Sequence, residues 1–190
     1  MKKFLFPLLG AMLIGIVAKP QFTNDDYGIY LKGTNYHMQS RNAITTAGTG
    51  IEISNSNGFG IFNFINEGNN VYKIKMGDNQ FLSLKYQTEV STSGMHQSDG
   101  SASGFKVVQD IAYSTPIKPV TQSTTLRPDL QRWKITKVPG EANTFFIRSV
   151  AFPDKELVAS NNTNTATIKI MPVSTGNKHR KWVIKQEQID

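Results

Sequence analysis

Phe62-Asn63-Phe64, Trp133-Lys134-Ile135 and Trp182-Val183-Ile184 are three copies of one phrase, an aromatic residue followed two positions later by a large apolar one. Spacing of two places both side chains on one face of a strand. A strand-like piece precedes each phrase: Gly50-Ile51-Glu52-Ile53, Gly104-Phe105-Lys106-Val107-Val108 and Thr167-Ile168-Lys169-Ile170. Before each of those stands a two-strand unit. These are Gly28-Ile29-Tyr30-Leu31 with Tyr36-His37-Met38, Val71-Tyr72-Lys73-Ile74 with Phe81-Leu82-Ser83-Leu84, and Phe145-Phe146-Ile147 with Glu156-Leu157-Val158. Four strands taken three times predict twelve. A single unit of this kind cannot bury its own apolar face, so the three must close around a shared axis.

The spacing agrees once one insertion is allowed for. Trp182 follows Trp133 by 49 residues, whereas Trp133 follows Phe62 by 71. The excess of 22 is assigned to a loop over Ile111–Leu130, which carries Pro116, Pro119 and Pro128. Loops of that length are uncommon in compact domains and are often functional. Elsewhere Gly33-Thr34-Asn35, Gly77-Asp78-Asn79 and Gly140-Glu141 break the strands at short intervals, and no helical periodicity of useful length occurs. The expected fold is therefore all-β, with twelve strands in three pseudo-symmetric repeats and one long inserted loop.

Lys2 and Lys3 precede an apolar run, Phe4 to Val17, that ends at Ala18. A short basic start, a brief apolar stretch and a small residue form the pattern of a secretory signal peptide, and the run is short for a bilayer span. The expected organisation is a signal peptide over residues 1–18, an N-terminal tail over 19–26 and one domain over 27–190. The expectation that follows is a secreted, extracellular protein with no stable membrane span. The whole sequence of 190 residues has 21 basic and 14 acidic residues; without the leader it has 19 and 14. That modest cationic balance favours an anionic partner without naming it. The absence of cysteine excludes disulfide scaffolds, thiol catalysis and cysteine-ligated zinc.

Enzymatic readings find little support. His37, His96 and His179 are scattered over different repeats without metal-ligand spacing, and neither a glycine-rich phosphate loop nor a Gly-x-Ser-x-Gly elbow occurs. No cofactor is expected, and no motif suggests nucleic acid. The sharpest local feature is Asn177-Lys178-His179-Arg180-Lys181. Lys178, His179, Arg180 and Lys181 cluster before the last strand, where they suit sulfates and phosphates, with arginine giving two-pronged contacts. Lys73, Lys75 and Lys85 form a second basic stripe, which reads most simply as an exposed strand face.

The repeat pattern, with Gln131-Arg132-Trp133 closing the second unit, resembles a β-trefoil of the ricin B-type lectin kind. The third repeat follows that family's order in Ile147-Arg148-Ser149, Lys155-Glu156-Leu157-Val158, Ile168-Lys169-Ile170-Met171 and Lys181-Trp182. The resemblance implies a trefoil whose sugar lies on an aromatic platform and is held by an aspartate. Carried over, the aspartate positions fall at Gln39, Ser83 and Val158, and the platforms near Ser54, Val108 and Met171; none is acidic or aromatic. The closing glutamine is present only as Gln131, with Gly60 and Arg180 at its counterparts. A galactose pocket of the family's type is therefore not expected, and the leading expectation is a monomeric, non-enzymatic, lectin-like protein. It would bind anionic extracellular carbohydrate or a glycosaminoglycan through Lys178–Lys181. The fibroblast growth factors, also trefoils, bind heparan sulfate through basic loops of their third repeat, which this placement resembles. The alternative is a protein-binding trefoil, an inhibitor or receptor ligand presenting the 111–130 loop.

Overall fold

The structure is a computed structural model of the chain, and it describes residues 21–23, 25–56, 60–77, 79–86, 105–112 and 128–188. The leader over 1–18 and most of the 111–130 loop lie outside the described residues. Twelve strands are present: β1 Tyr27–Leu31, β2 His37–Ser40, β3 Ile51–Ser54, β4 Ile61–Asn66, β5 Val71–Met76, β6 Gln80–Tyr86, β7 Phe105–Ile111, β8 Arg132–Lys137, β9 Thr144–Ser149, β10 Lys155–Ala159, β11 Ile168–Pro172 and β12 Trp182–Gln186. Each contains or overlaps a segment singled out by its alternation.

Six strands close into a barrel. β1 pairs with β4, β4 with β5, β5 with β8, β8 with β9, β9 with β12, and β12 returns to β1, every pair antiparallel. Closure removes the free sheet edges that would otherwise template aggregation. The other six form hairpins β2–β3, β6–β7 and β10–β11, which lie over one end of the barrel and touch through bridges at Gly50 and Val108 and at Glu52 and Thr167. The turns between β4 and β5 and between β8 and β9 lie at the other end, with the start of β1 and the end of β12.

The threefold relation is visible residue by residue in the register. Phe62 stands opposite Tyr27, Trp133 opposite Tyr72 and Trp182 opposite Phe145. All six rings are buried in one cluster. The two tryptophans repeat the same polar contact: Trp133 Nε1 donates to the Leu82 carbonyl at 2.9 Å, and Trp182 Nε1 to the Leu157 carbonyl at 3.0 Å. Leu82 and Leu157 occupy equivalent places in β6 and β10, so the second and third repeats each satisfy the indole within their own hairpin.

Two expectations change. The stretch taken as a tail over 19–26 contributes Phe22 to the core. Its ring stacks on Phe64 at 4.4 Å and meets Tyr27, Tyr72 and Phe145 edge-on at 5.3–5.4 Å. Those last three head equivalent strands, so Phe22 fills the barrel mouth on its pseudo-threefold axis, where three similar rings leave a central gap. The extra length of the second repeat is also divided between two connections. Eighteen residues separate β6 from β7, against 10 and 8 in the other repeats, and 20 separate β7 from β8, against 6 and 9. Proline marks only one of the two stretches in the sequence, because residues 87–104 contain none.

Candidate functional site

The third repeat carries an open depression of about 340 Å³ between the β10–β11 hairpin and the loop that leads into β12. Its wall includes Val158 from β10, Lys169 and Met171 from β11, and Asn177, Lys178 and His179 from the loop. Alternation fixes this arrangement: Ile168 and Ile170 point into the core, so Lys169 and Met171 face outward. Val158 and Met171 are the positions to which the lectin resemblance assigned the aspartate and the platform. The basic loop and the positions that the resemblance gives to the family's sugar pocket therefore share one depression. The chemistry differs from the family's. A thioether and an isopropyl group form the apolar floor, and two lysines, a histidine and an amide stand around it.

The four loop residues marked in the sequence separate into two pairs. Lys178 and His179 line the depression. Arg180 and Lys181 turn to internal partners. The Arg180 guanidinium lies 4.2 Å from the centre of the Phe146 ring, places Nη1 3.0 Å from Glu156 Oε1, and donates to the Ser174 carbonyl at 2.6 Å. Lys181 pairs with Glu141, which holds that exposed carboxyl below the usual carboxylate range. Lys169 was quoted as part of a strand and was not marked as a site residue. Its signal was its outward phase in β11, one residue from either buried isoleucine.

Beneath the loop lies an ionic cluster that sequence reasoning missed. Glu156 is fully buried, and Arg148 Nε approaches its Oε2 at 3.9 Å from β9. Burial pushes the Glu156 carboxyl above its ordinary range, against the opposing pull of Arg180 and Arg148. No signal marked it beforehand, because Glu156 sits in a strand where an alternating charge reads as exposed.

The equivalent positions of the other repeats are occupied by their own side chains. Gln39 is buried and donates from Nε2 to Glu52 Oε1 at 3.1 Å, while Ser54 is buried beside it. Ser83 accepts from Gln131 Nε2 at 2.8 Å, and Gln131 also donates to the Ile111 carbonyl at 2.7 Å. The closing glutamine thus satisfies the site that an aspartate holds in the family. In the first repeat Gly60 takes that place, and a Cβ there would come within 2.8 Å of the Met38 carbonyl and closer still to the His37 ring. Of the outward lysines, Lys73 pairs with Glu67 at 3.3 Å and Lys85 with Asp110 at 3.1 Å. His37 and His179 lie in different repeats, and no group of three metal-ligating side chains occurs among the described residues. No helix among them is long and apolar enough to cross a membrane.

No protein-family model matches the chain, and no curated protein sequence does. Solved structures do match its shape. A designed threefold-symmetric protein, ThreeFoil, superposes with a TM-score of 0.60 at 16% identity, over 84% of this chain and 96% of the other. The fold is a β-trefoil. A Polyporus squamosus lectin, solved with the human-type influenza-binding epitope Neu5Acα2-6Galβ1-4GlcNAc, matches this trefoil with a TM-score of 0.57 at 13% identity, over 87% of this chain and 50% of the lectin. An exo-β-1,3-galactanase from Clostridium thermocellum matches at 0.60 and 12% identity, over 87% of this chain and 31% of the enzyme. The chain thus spans half the length of the lectin and under a third of the galactanase. Such likeness establishes the fold alone, since trefoils carry unrelated functions.

Proposed function

We propose that this trefoil is an exported, non-enzymatic, lectin-like protein that binds anionic carbohydrate in the depression of its third repeat. The observation that carries the reading is the placement of Lys169, Lys178 and His179 around the apolar floor of Met171 and Val158. A sugar ring needs an apolar surface for one face and convergent polar groups for its edge. The floor supplies the first, and Asn177 with the three basic side chains supplies the second. At about 340 Å³ the depression is near the lower end of the roughly 300–1,000 Å³ typical of small-molecule sites, so it suits the end of a glycan. Two lysines give a sulfate or carboxylate charge pairing that a neutral hexose does not exploit. The lectin neighbour's Neu5Ac-containing epitope is compatible with this class of ligand. Export rests on Lys2, Lys3 and the apolar run behind them.

A glycan array read beside a heparin column tests the proposal. Sulfated or sialylated glycans are expected to bind in preference to their neutral parents. Lys169→Ala with Lys178→Ala is expected to abolish that preference and advance elution from heparin. Binding that is equal for neutral and anionic glycans, or unchanged in the double variant, refutes the reading.

A further inference from the structure

The loop that carries Lys178 and His179 has few apolar anchors of its own, and its shape is set by hydrogen bonds at its two ends. At one end the Ser174 carbonyl accepts from Arg180 Nη1 at 2.6 Å and from the Asn177 N–H at 3.1 Å. Asn177 Nδ2 reaches back to the Pro172 carbonyl at 2.9 Å. At the other end the His179 carbonyl accepts from the Ala159 N–H at 2.9 Å, joining the loop to β10. Arg180 is the central tie. Its guanidinium lies over Phe146, and its Nη1 reaches both the loop carbonyl and the buried carboxylate of Glu156, 3.0 Å away.

The arrangement belongs to one repeat only. Register places His37 opposite Tyr30, Phe81 opposite Lys75 and Glu156 opposite Arg148. The residues closing these three units are Gly60, Gln131 and Arg180. A fully buried acid facing a closing arginine therefore occurs only in the unit that holds the depression. Burial of an ionised pair is costly unless geometry repays it, and in some proteins such pairs fix one arrangement among several.

We propose that Glu156 is a positioning residue for ligand capture: by fixing Arg180 it holds loop 174–179 in the form that turns Lys178 and His179 toward the depression. The proposal rests on the carbohydrate-binding reading for its consequence, but its structural content can be judged without a ligand. Glu156 does not touch the ligand. Positioning and plain electrostatics predict opposite signs. Replacing the carboxylate by an amide raises the net charge by one, which by charge alone tightens the hold on an anion. Loss of the tie loosens the loop and weakens it.

The experiment compares Glu156→Gln and Arg180→Gln with the parent by amide hydrogen exchange, and by titration with heparin. At the position of Arg180 the second repeat already accommodates a glutamine, Gln131. Both variants are expected to exchange the Asn177 and Ala159 amides faster, with the Leu82-bonded Trp133 indole unaffected. Both are expected to bind heparin about fivefold more weakly, the scale of a coupling between contacting groups. Unchanged exchange at Asn177 and Ala159, or equal or tighter heparin binding by Glu156→Gln, overturns the proposal. Should Glu156→Gln fail to fold, the exchange of the Asn177 and Ala159 amides in Arg180→Gln decides, because loss of that cation weakens heparin binding by charge alone. If the parent does not bind heparin or sialylated glycans, the functional reading falls, and the exchange result still decides the role of Glu156.

Discussion

Phe22 shows how much a single side chain settles at the barrel mouth. It touches four rings, three of them threefold-related, and truncation would leave a cavity that rigid β-strands cannot close. Phe22→Ala is expected to cost about 3–5 kcal/mol, the range for buried aromatic deletions, measured by urea unfolding. A loss under about 1 kcal/mol contradicts the plug. Glu156 makes the opposite point, since its charge is held at a cost. Its folded pKa is raised chiefly by burial, so the folded state binds its proton more tightly than the unfolded chain does. The stability this provides is fully present below the ordinary value of 4.5 and is lost as pH rises through the folded value. Glu156→Gln does not titrate, while Glu141 and Asp154, whose pKa values are lowered, are common to both proteins. Thermal midpoints from about pH 4 to pH 7 are therefore expected to diverge in favour of the variant as pH rises. A gap that narrows or reverses would show that the ionised form is the stabilised one.

At the scale of elements, alternation made the strands readable. Each of the twelve has one face that must be apolar, and a period of two is hard to produce otherwise. Connections are less legible because no periodicity governs them. The proline-rich part of the second repeat attracted the whole excess length, although residues 87–104 share it. The site was half legible for a similar reason. A run of basic residues is visible in sequence, but which members are held by ion pairs or ring contacts depends on partners in other elements: Glu156 in β10, Phe146 in β9 and Glu141 beyond β8. Lys169 was hidden as an ordinary outward residue. Local geometry also separates the three closing positions. Gly60→Ala is expected to destabilise by about 1–3 kcal/mol, because the new methyl meets the Met38 carbonyl, which belongs to the backbone and cannot rotate away. Denaturant midpoints near that of the parent would show that the strand shifts freely to admit it.

Across the whole molecule, three similar units are held by one shared core, and their surfaces have diverged. The core positions are aromatic or aliphatic in all three, while the corresponding places hold a Gln39–Glu52 pair, a Gln131–Ser83 pair and a cationic depression. The fold could be read from what the units share; function has to be sought in how they differ. Because the proposed contacts depend on exposed cations, retention on heparin is expected to fall steeply as salt rises from about 0.05 to 0.5 M, where the screening length shrinks from over 10 Å to under 5 Å. Salt-independent retention would place the binding energy in apolar contact instead.

The Glu187 N–H bonds the Asp26 carbonyl at 2.8 Å, so the two strands that begin and finish the barrel meet at the face remote from the hairpins. A bead, a dye or a second protein attached beside Asp26 or Glu187 would therefore hang from the underside and leave the cationic hollow looking outward. Several copies tethered in this way would form a surface with every hollow presented to the same side.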